Sequence, residues 1–138
     1  MQSRLESRAP NIAKALKQAS DSHQNAAAFA AAGLAVSKTE VSDPAVLSAL
    51  SNRQLIDLNT TVGSLDRRYF EAQSAGDEAA AKQSFSQARA VSATNFALRH
   101  EPEDAIYEAA VAVEHEDEIY ELVLTILSDL LCPPTKPQ

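Results

Sequence analysis

Alanine dominates this chain, and that composition limits the possible folds more than any other feature of the sequence. The 138 residues include 26 alanines but only three glycines. Alanine has the highest helix propensity, while the β-branched and aromatic residues that favour strands are sparse here. No segment alternates apolar and polar residues as a half-buried strand does. The sequence therefore predicts an all-α protein.

Prolines, glycines and apolar spacing divide the chain into long helical segments. Asp43 and Pro44 have the form of an N-cap followed by proline at the first helical position. Gly76 and Asp77 have the form of a left-handed C-cap followed by the next N-cap. We expect one domain over residues 1–132, an antiparallel bundle of about four to five helices, and a disordered tail over residues 133–138. The predicted helices span roughly 10–34, 44–74, 77–99 and 102–131, and the first of them can break at residues 20–22.

The apolar stripes predict which residues form the core. Spacings of three and four run through the second segment at Leu55, Leu58, Val62, Leu65, Tyr69 and Ala72. The third segment carries the stripe Ala81, Phe85, Ala88 and Val91. Gly63 lies inside the second segment, where a missing side chain predicts close helix packing.

The stretch AQSAGDEAAAKQSFSQARA resembles the turn and second helix of a tetratricopeptide repeat. Gly76 and Asp77 occupy the turn, and the small–large–small packing positions of that family are matched by Ala81, Phe85 and Ala88. The match covers about half of one repeat, and no second copy follows at a spacing of about 34 residues. The resemblance implies stacked helical hairpins as the alternative architecture.

Negative charge is concentrated near the C-terminal end. The net charge is −7, and residues 101–135 hold ten Asp or Glu but no Lys or Arg. This balance argues against nucleic acid and anionic membranes as partners. One side of the fourth helix is a solvated face or a docking surface for a basic protein partner. It consists of Glu114, Asp117, Glu118, Glu121 and Asp129. Alternatively, the N-terminal cations Arg4, Arg8, Lys14 and Lys17 lie beside this helix.

Two polar residues fall on apolar stripes. Glu116 lies in the apolar arc of the fourth helix, and His23 lies in the stripe of the first. Because an unpaired buried carboxylate is costly, Glu116 should be paired, neutral or near water. Arg99, a tyrosine hydroxyl or His23 could serve as its partner. The functional alternative is a carboxylate–histidine site that binds metal or moves protons.

Signatures of catalysis are missing from the sequence. It contains no glycine-rich phosphate loop, no His-Glu-x-x-His helix and no Cys-x-x-Cys pair. Cys132 ends the predicted last helix, where the helix dipole disfavours a thiolate. We expect no metal and no cofactor. The charged N-terminal sequence lacks the apolar core of a secretory signal, and with the lone cysteine it predicts a cytoplasmic protein.

Together these patterns predict a non-enzymatic protein-binding module. The role would be inhibitor-like, immunity-like or chaperone-like toward a basic protein partner that contacts the acidic C-terminal helix. The alternative is a homo-oligomeric structural or assembly protein that packs through alanine-rich helices such as residues 26–32. A third hypothesis is a metal or enzyme site built on Glu116 and a histidine.

Overall fold

A computed structural model describes the backbone of residues 3–131 and the side chains of residues 3–128. That part of the chain forms eight α-helices and no strand, packed as an all-α helical bundle. The predicted fold class is therefore confirmed, but four to five helices was too few. The expected disordered tail and Cys132 lie outside the described residues. The helices are α1 (Arg4–Arg8), α2 (Pro10–Lys17), α3 (Asp21–Lys38), α4 (Pro44–Asn52), α5 (Asn59–Ser74), α6 (Glu78–Leu98), α7 (Pro102–Ala112) and α8 (Glu116–Leu131).

Helices α3 and α6 form the centre of the bundle. Helix α6 packs against α3, α5 and α7, and α3 also packs against α7 and α8. Small side chains on the facing surfaces allow the helix axes to approach closely. The alanines of α3 that lie fully inside this core are Ala27, Ala28, Ala31, Ala32 and Ala35. None of the helices formed by residues 3–131 combines the length and the apolar character needed to traverse a bilayer.

The first predicted helix is interrupted between α2 and α3, and side chains on either side explain why. The Ser20 hydroxyl accepts a hydrogen bond from the backbone N–H of His23 at 3.2 Å and so caps α3. The Gln24 side-chain amide donates to the carbonyls of Leu16 and Ala19 at 2.9 and 3.0 Å. These bonds add to the backbone N–H donors near the end of α2, where carbonyl groups lack their regular helical partners.

Two more breaks divide the second and fourth predicted helices. Helix α4 ends at Arg53, whose φ of 51° is left-handed, and residues 53–58 lead to α5 without helix. Helix α7 ends at Val113, whose backbone is extended. Four of the five residues in 114–118 are acidic. Inside a helix these charges would repel one another, whereas the dipole at the start of α8 stabilises them.

The structure corrects three details of the predicted core. Leu55 lies in the break before α5 and is 68% exposed, and Phe85 is 38% exposed on α6. Both were predicted to be buried, and both predictions are wrong. A Cβ added to Gly63 would have no atom within 4 Å, so close packing at that glycine was also wrongly expected. The predicted left-handed turn is confirmed by the φ of 76° at Gly76.

Candidate functional site

The N-terminal arginines lie beside the acidic C-terminal segment. Arg4 donates from Nη1 to Glu108 at 2.7 Å and from Nη2 to Asp104 at 3.2 Å. Arg8 donates from Nε to Glu116 Oε2 at 2.7 Å. Two of the four N-terminal cations thus offset charge that the sequence alone left uncompensated. Three of the ten acids in residues 101–135 are therefore paired with these two arginines: Asp104, Glu108 and Glu116.

Glu108 is a buried carboxylate on α7 that the sequence analysis missed. Its side chain is 3% exposed and binds Arg4 from α1 and Arg89 from α6, the latter at 2.9 Å. Arg89 also reaches Asp66 on α5 at 3.4 Å. This ion-pair cluster connects four helices. Because its carboxylates are paired with arginines of the same chain, we interpret the cluster as structural, although the buried Nε of Arg89 has no hydrogen-bond partner among the described residues.

Glu116 is paired, as expected, but it is not buried. Its side chain is 36% exposed at the start of α8 and accepts hydrogen bonds from Arg8 and from the Tyr120 hydroxyl, the latter at 2.9 Å. The bond from Arg8 is the main cause that lowers the pKa of Glu116. Burial, followed by the bond to Glu116, raises the pKa of Tyr120 to about 12. The sequence placed Glu116 in the apolar arc of one long helix. That arc does not continue across the break, because helix α8 begins at Glu116.

His23 lies in the first turn of α3 and is half-buried. Its Nδ1 has no hydrogen-bond partner among the described residues. Glu116, at the start of α8, accepts hydrogen bonds from Arg8 and Tyr120 instead. Within residues 3–128, no three His, Cys, Asp or Glu side chains come together as metal ligands would. The carboxylate–histidine hypothesis therefore has no assembled site in this part of the chain.

The five acids predicted to bind a partner have different surroundings. Glu118 is paired with Lys38 at 2.7 Å, and the hydrogen bond from Lys38 lowers the pKa of Glu118. The side chain of Asp129 lies outside the described residues. Three acids are exposed and make no ion pair with any described residue: Glu114, Asp117 and Glu121. These three keep charge available to a partner.

A groove of about 650 Å³ lies beside two of these predicted acids. It is bounded by the end of α3, the first half of α6, the end of α7 and the start of α8. Phe85, Val111 and Val113 supply apolar wall, and three carboxylates outnumber two lysines in the lining. The carboxylates are those of Glu40, Glu114 and Glu118, and the lysines are Lys38, which is paired with Glu118, and Lys82. We call this the acidic groove. It can accept an apolar side chain and a cationic group at the same time.

An aromatic cluster lies next to the acidic groove. The ring centroid of Tyr69 is 5.2 Å from that of Phe70 and 5.7 Å from that of Phe85. Phe70 is 62% exposed, and Phe85 belongs to both the cluster and the groove. The whole chain has only three tyrosines, four phenylalanines and no tryptophan. Three of these seven rings therefore gather in one place, with Phe70 and Phe85 exposed and Tyr69 half-buried. The sequence could not reveal this cluster, because the helical spacing of Tyr69 and of Phe85 fits a buried stripe equally well.

No protein-family model, no curated protein and no solved structure matches this chain. The resemblance of residues 72–90 to a tetratricopeptide repeat consequently stays local, to the hairpin that α5 and α6 form around Gly76.

Proposed function

We propose that this protein is a non-enzymatic protein-binding module that engages a basic protein partner. Its docking surface combines the aromatic cluster with the acidic groove. The observation that carries the proposal is the cluster of half-buried Tyr69 with exposed Phe70 and Phe85, of which Phe85 lines the acidic groove together with Glu114. Exposed aromatic residues are enriched at the energetic centres of protein interfaces.

The two parts of this surface would contribute in different ways. An apolar side chain of the partner would pack against Phe85, Val111 and Val113, and water would be released. Lysine or arginine residues of the partner would face Glu114 and Glu121, which no described residue neutralises. Such charges mainly accelerate encounter and exclude wrong partners. Association should therefore slow as salt concentration rises, because salt screens exposed charges.

This surface is narrower than the acidic face that the sequence suggested. Glu118 already binds Lys38, and several acids of α7 and α8 bind Arg4 and Arg8. The remaining acids steer the partner, while the aromatic rings provide most of the affinity. An inhibitor-like, immunity-like or chaperone-like role fits, because each masks a basic surface of another protein. The single cysteine supports a place in the cytoplasm.

Self-association through alanine-rich helices, the alternative, has less support. Within residues 26–32, Ala27, Ala28, Ala31 and Ala32 are already buried by the chain itself. They leave little of that face for a second copy. A homo-oligomer would need a different surface, and its existence stays a prediction.

Photo-crosslinking tests the proposal. Benzoylphenylalanine placed at Phe85 should form a crosslink in cell extract with a protein segment rich in lysine or arginine. The same group at Leu47, which is 43% exposed on α4, serves as the matched control. Equal crosslinking from both positions, or capture of an acidic segment from Phe85, would contradict the proposal. Mass spectrometry of the crosslinked peptides gives the readout.

A further inference from the structure

A second groove, of about 600 Å³, lies at another place in the fold. The start of α3, the end of α4 with the residues after it, and the end of α6 surround it. We call it the basic groove. Its principal lining residues are Phe29, Arg53, Leu55, Leu98, Arg99 and His100. None of these residues belongs to the docking surface described above.

The charge of the basic groove is opposite to that of the protein. The chain holds 19 Asp or Glu against 12 Lys or Arg. The lining of this groove nevertheless contains Arg53, Arg99 and His100 and no carboxylate. Arg99 and His100 follow the end of α6, and Arg53 follows the end of α4, where cations are favoured by the helix dipoles. Three basic side chains from two chain segments therefore converge on one concave surface.

The same groove exposes an apolar side chain. Leu55 is 68% exposed, the highest value among the large hydrophobic residues that the structure describes. Phe29 and Leu98 are buried and form apolar floor. The Arg53 guanidinium stacks over the Phe29 ring at 4.5 Å from its centroid. This contact holds one cation in place before any ligand arrives, which reduces the entropy cost of binding.

We propose that the basic groove binds an acidic peptide segment that carries one large apolar side chain. The carboxylates of the segment would contact Arg53 and Arg99, and its apolar side chain would cover Leu55. Nucleic acid is a poor fit, because two arginines on a chain of net charge −7 neutralise few phosphates. The groove is also partly open to solvent, whereas small-molecule sites enclose most of their ligand. An acidic peptide on the surface of a larger partner needs neither many cations nor an enclosing pocket, so it fits this groove.

Fluorescence anisotropy with labelled peptides tests this proposal. The probes are short peptides of glutamates flanking one leucine, phenylalanine, isoleucine or valine. We expect saturable binding to the full-length protein for at least one probe. Replacing its glutamates by glutamine, or its apolar residue by alanine, should weaken binding about tenfold or more. Failure of every probe to bind would overturn the proposal.

Variants of the protein locate the binding. Arg53→Gln/Arg99→Gln should weaken binding of the probe about tenfold. Leu55→Ser should also weaken it, and because Leu55 is so exposed this variant should fold normally. The control Arg67→Gln/Arg68→Gln removes the same charge from the exposed face of α5 and should leave binding unchanged. Equal weakening by this control would show non-specific charge attraction and contradict the proposal.

Sedimentation velocity separates this partner from a second copy of the chain. The proposal predicts that the concentration dependence of the sedimentation coefficient is the same for wild type and for the Leu55→Ser variant. A dimer that the Leu55→Ser change dissociates would mean that another copy occupies the groove, and would overturn the proposal. None of these outcomes depends on Phe85 or Glu114. Failure of the docking surface proposed above can therefore be distinguished from failure of the basic-groove proposal.

Discussion

Replacing Glu108 by alanine should destabilise the fold by about 3 kcal/mol. The residue is 2% exposed and accepts hydrogen bonds from Arg4 at 2.7 Å and from Arg89 at 2.9 Å. Hydrogen bonds to charged groups contribute about 1.5–3 kcal/mol each. The Arg4 side chain is 48% exposed. Water therefore screens its bond, to which we assign about 1 kcal/mol. The bond to Arg89, which is 23% exposed, adds about 2 kcal/mol.

Urea unfolding followed by circular dichroism measures this change. The midpoint should fall while the slope with urea concentration stays the same, because the unfolding reaction is unchanged. The control is Glu114→Ala, an exposed acid whose loss should alter stability by about 0.5 kcal/mol or less. The double change Glu108→Leu/Arg89→Met should cost less than Glu108→Ala, because it leaves neither charge buried alone. The reasoning is refuted if Glu108→Ala and Glu114→Ala have equal effects.

Three smaller predictions concern other sites. Gly63→Ala should raise the free energy of unfolding by about 0.5–1 kcal/mol in the same urea assay, because the added methyl group meets open space within α5. The folded protein holds the pKa of Glu116 below its ordinary 4.5, so this stabilisation is present above pH 4.5 and is lost as pH falls through the folded-state value. Glu116→Gln should flatten that acid limb in urea titrations at several pH values. Absorbance of tyrosinate should show a late phase near pH 12 that Tyr120→Phe removes, and burial of Tyr120 should cost stability as pH rises from 10 toward 12.

The helix boundaries that the sequence predicts correctly are those set by local chemistry. Asp43 accepts a hydrogen bond from the N–H of Ala45 at 2.8 Å, as the predicted N-cap of α4 should. Asp77 likewise accepts one from Ala80 at 3.1 Å and caps α6. These signals depend only on neighbours in the chain, so the pattern of residue types is sufficient.

The breaks within long helices were harder to predict, because apolar spacing continues across them. Residues 53–58 keep the three-and-four spacing of a buried stripe, yet Leu55 is among the most exposed apolar residues. Phe85 shares its stripe with Ala81 and Ala88, which are buried as predicted. Which members of a stripe contact another helix depends on tertiary packing. The two grooves therefore include residues that the sequence assigned to the core.

The burial of Glu108 could have been predicted from the spacing of its neighbours in the sequence. Glu108 follows Ala105 by three residues and precedes Ala112 by four, which places a carboxylate on a buried stripe. Its partners could not be read from the sequence, because Arg4 is 104 residues away and Arg89 is 19 residues away. Pairing over such separations requires knowledge of the fold.

The most direct test of the docking surface is a selection of random displayed peptides on the immobilised protein. Counter-selection on the Phe85→Ser/Glu114→Lys variant removes peptides that bind elsewhere, including any that occupy the basic groove. If the proposed docking surface is right, the remaining peptides carry lysine or arginine around a large apolar residue. Remaining peptides without net positive charge, or none that distinguish the two proteins, would contradict it.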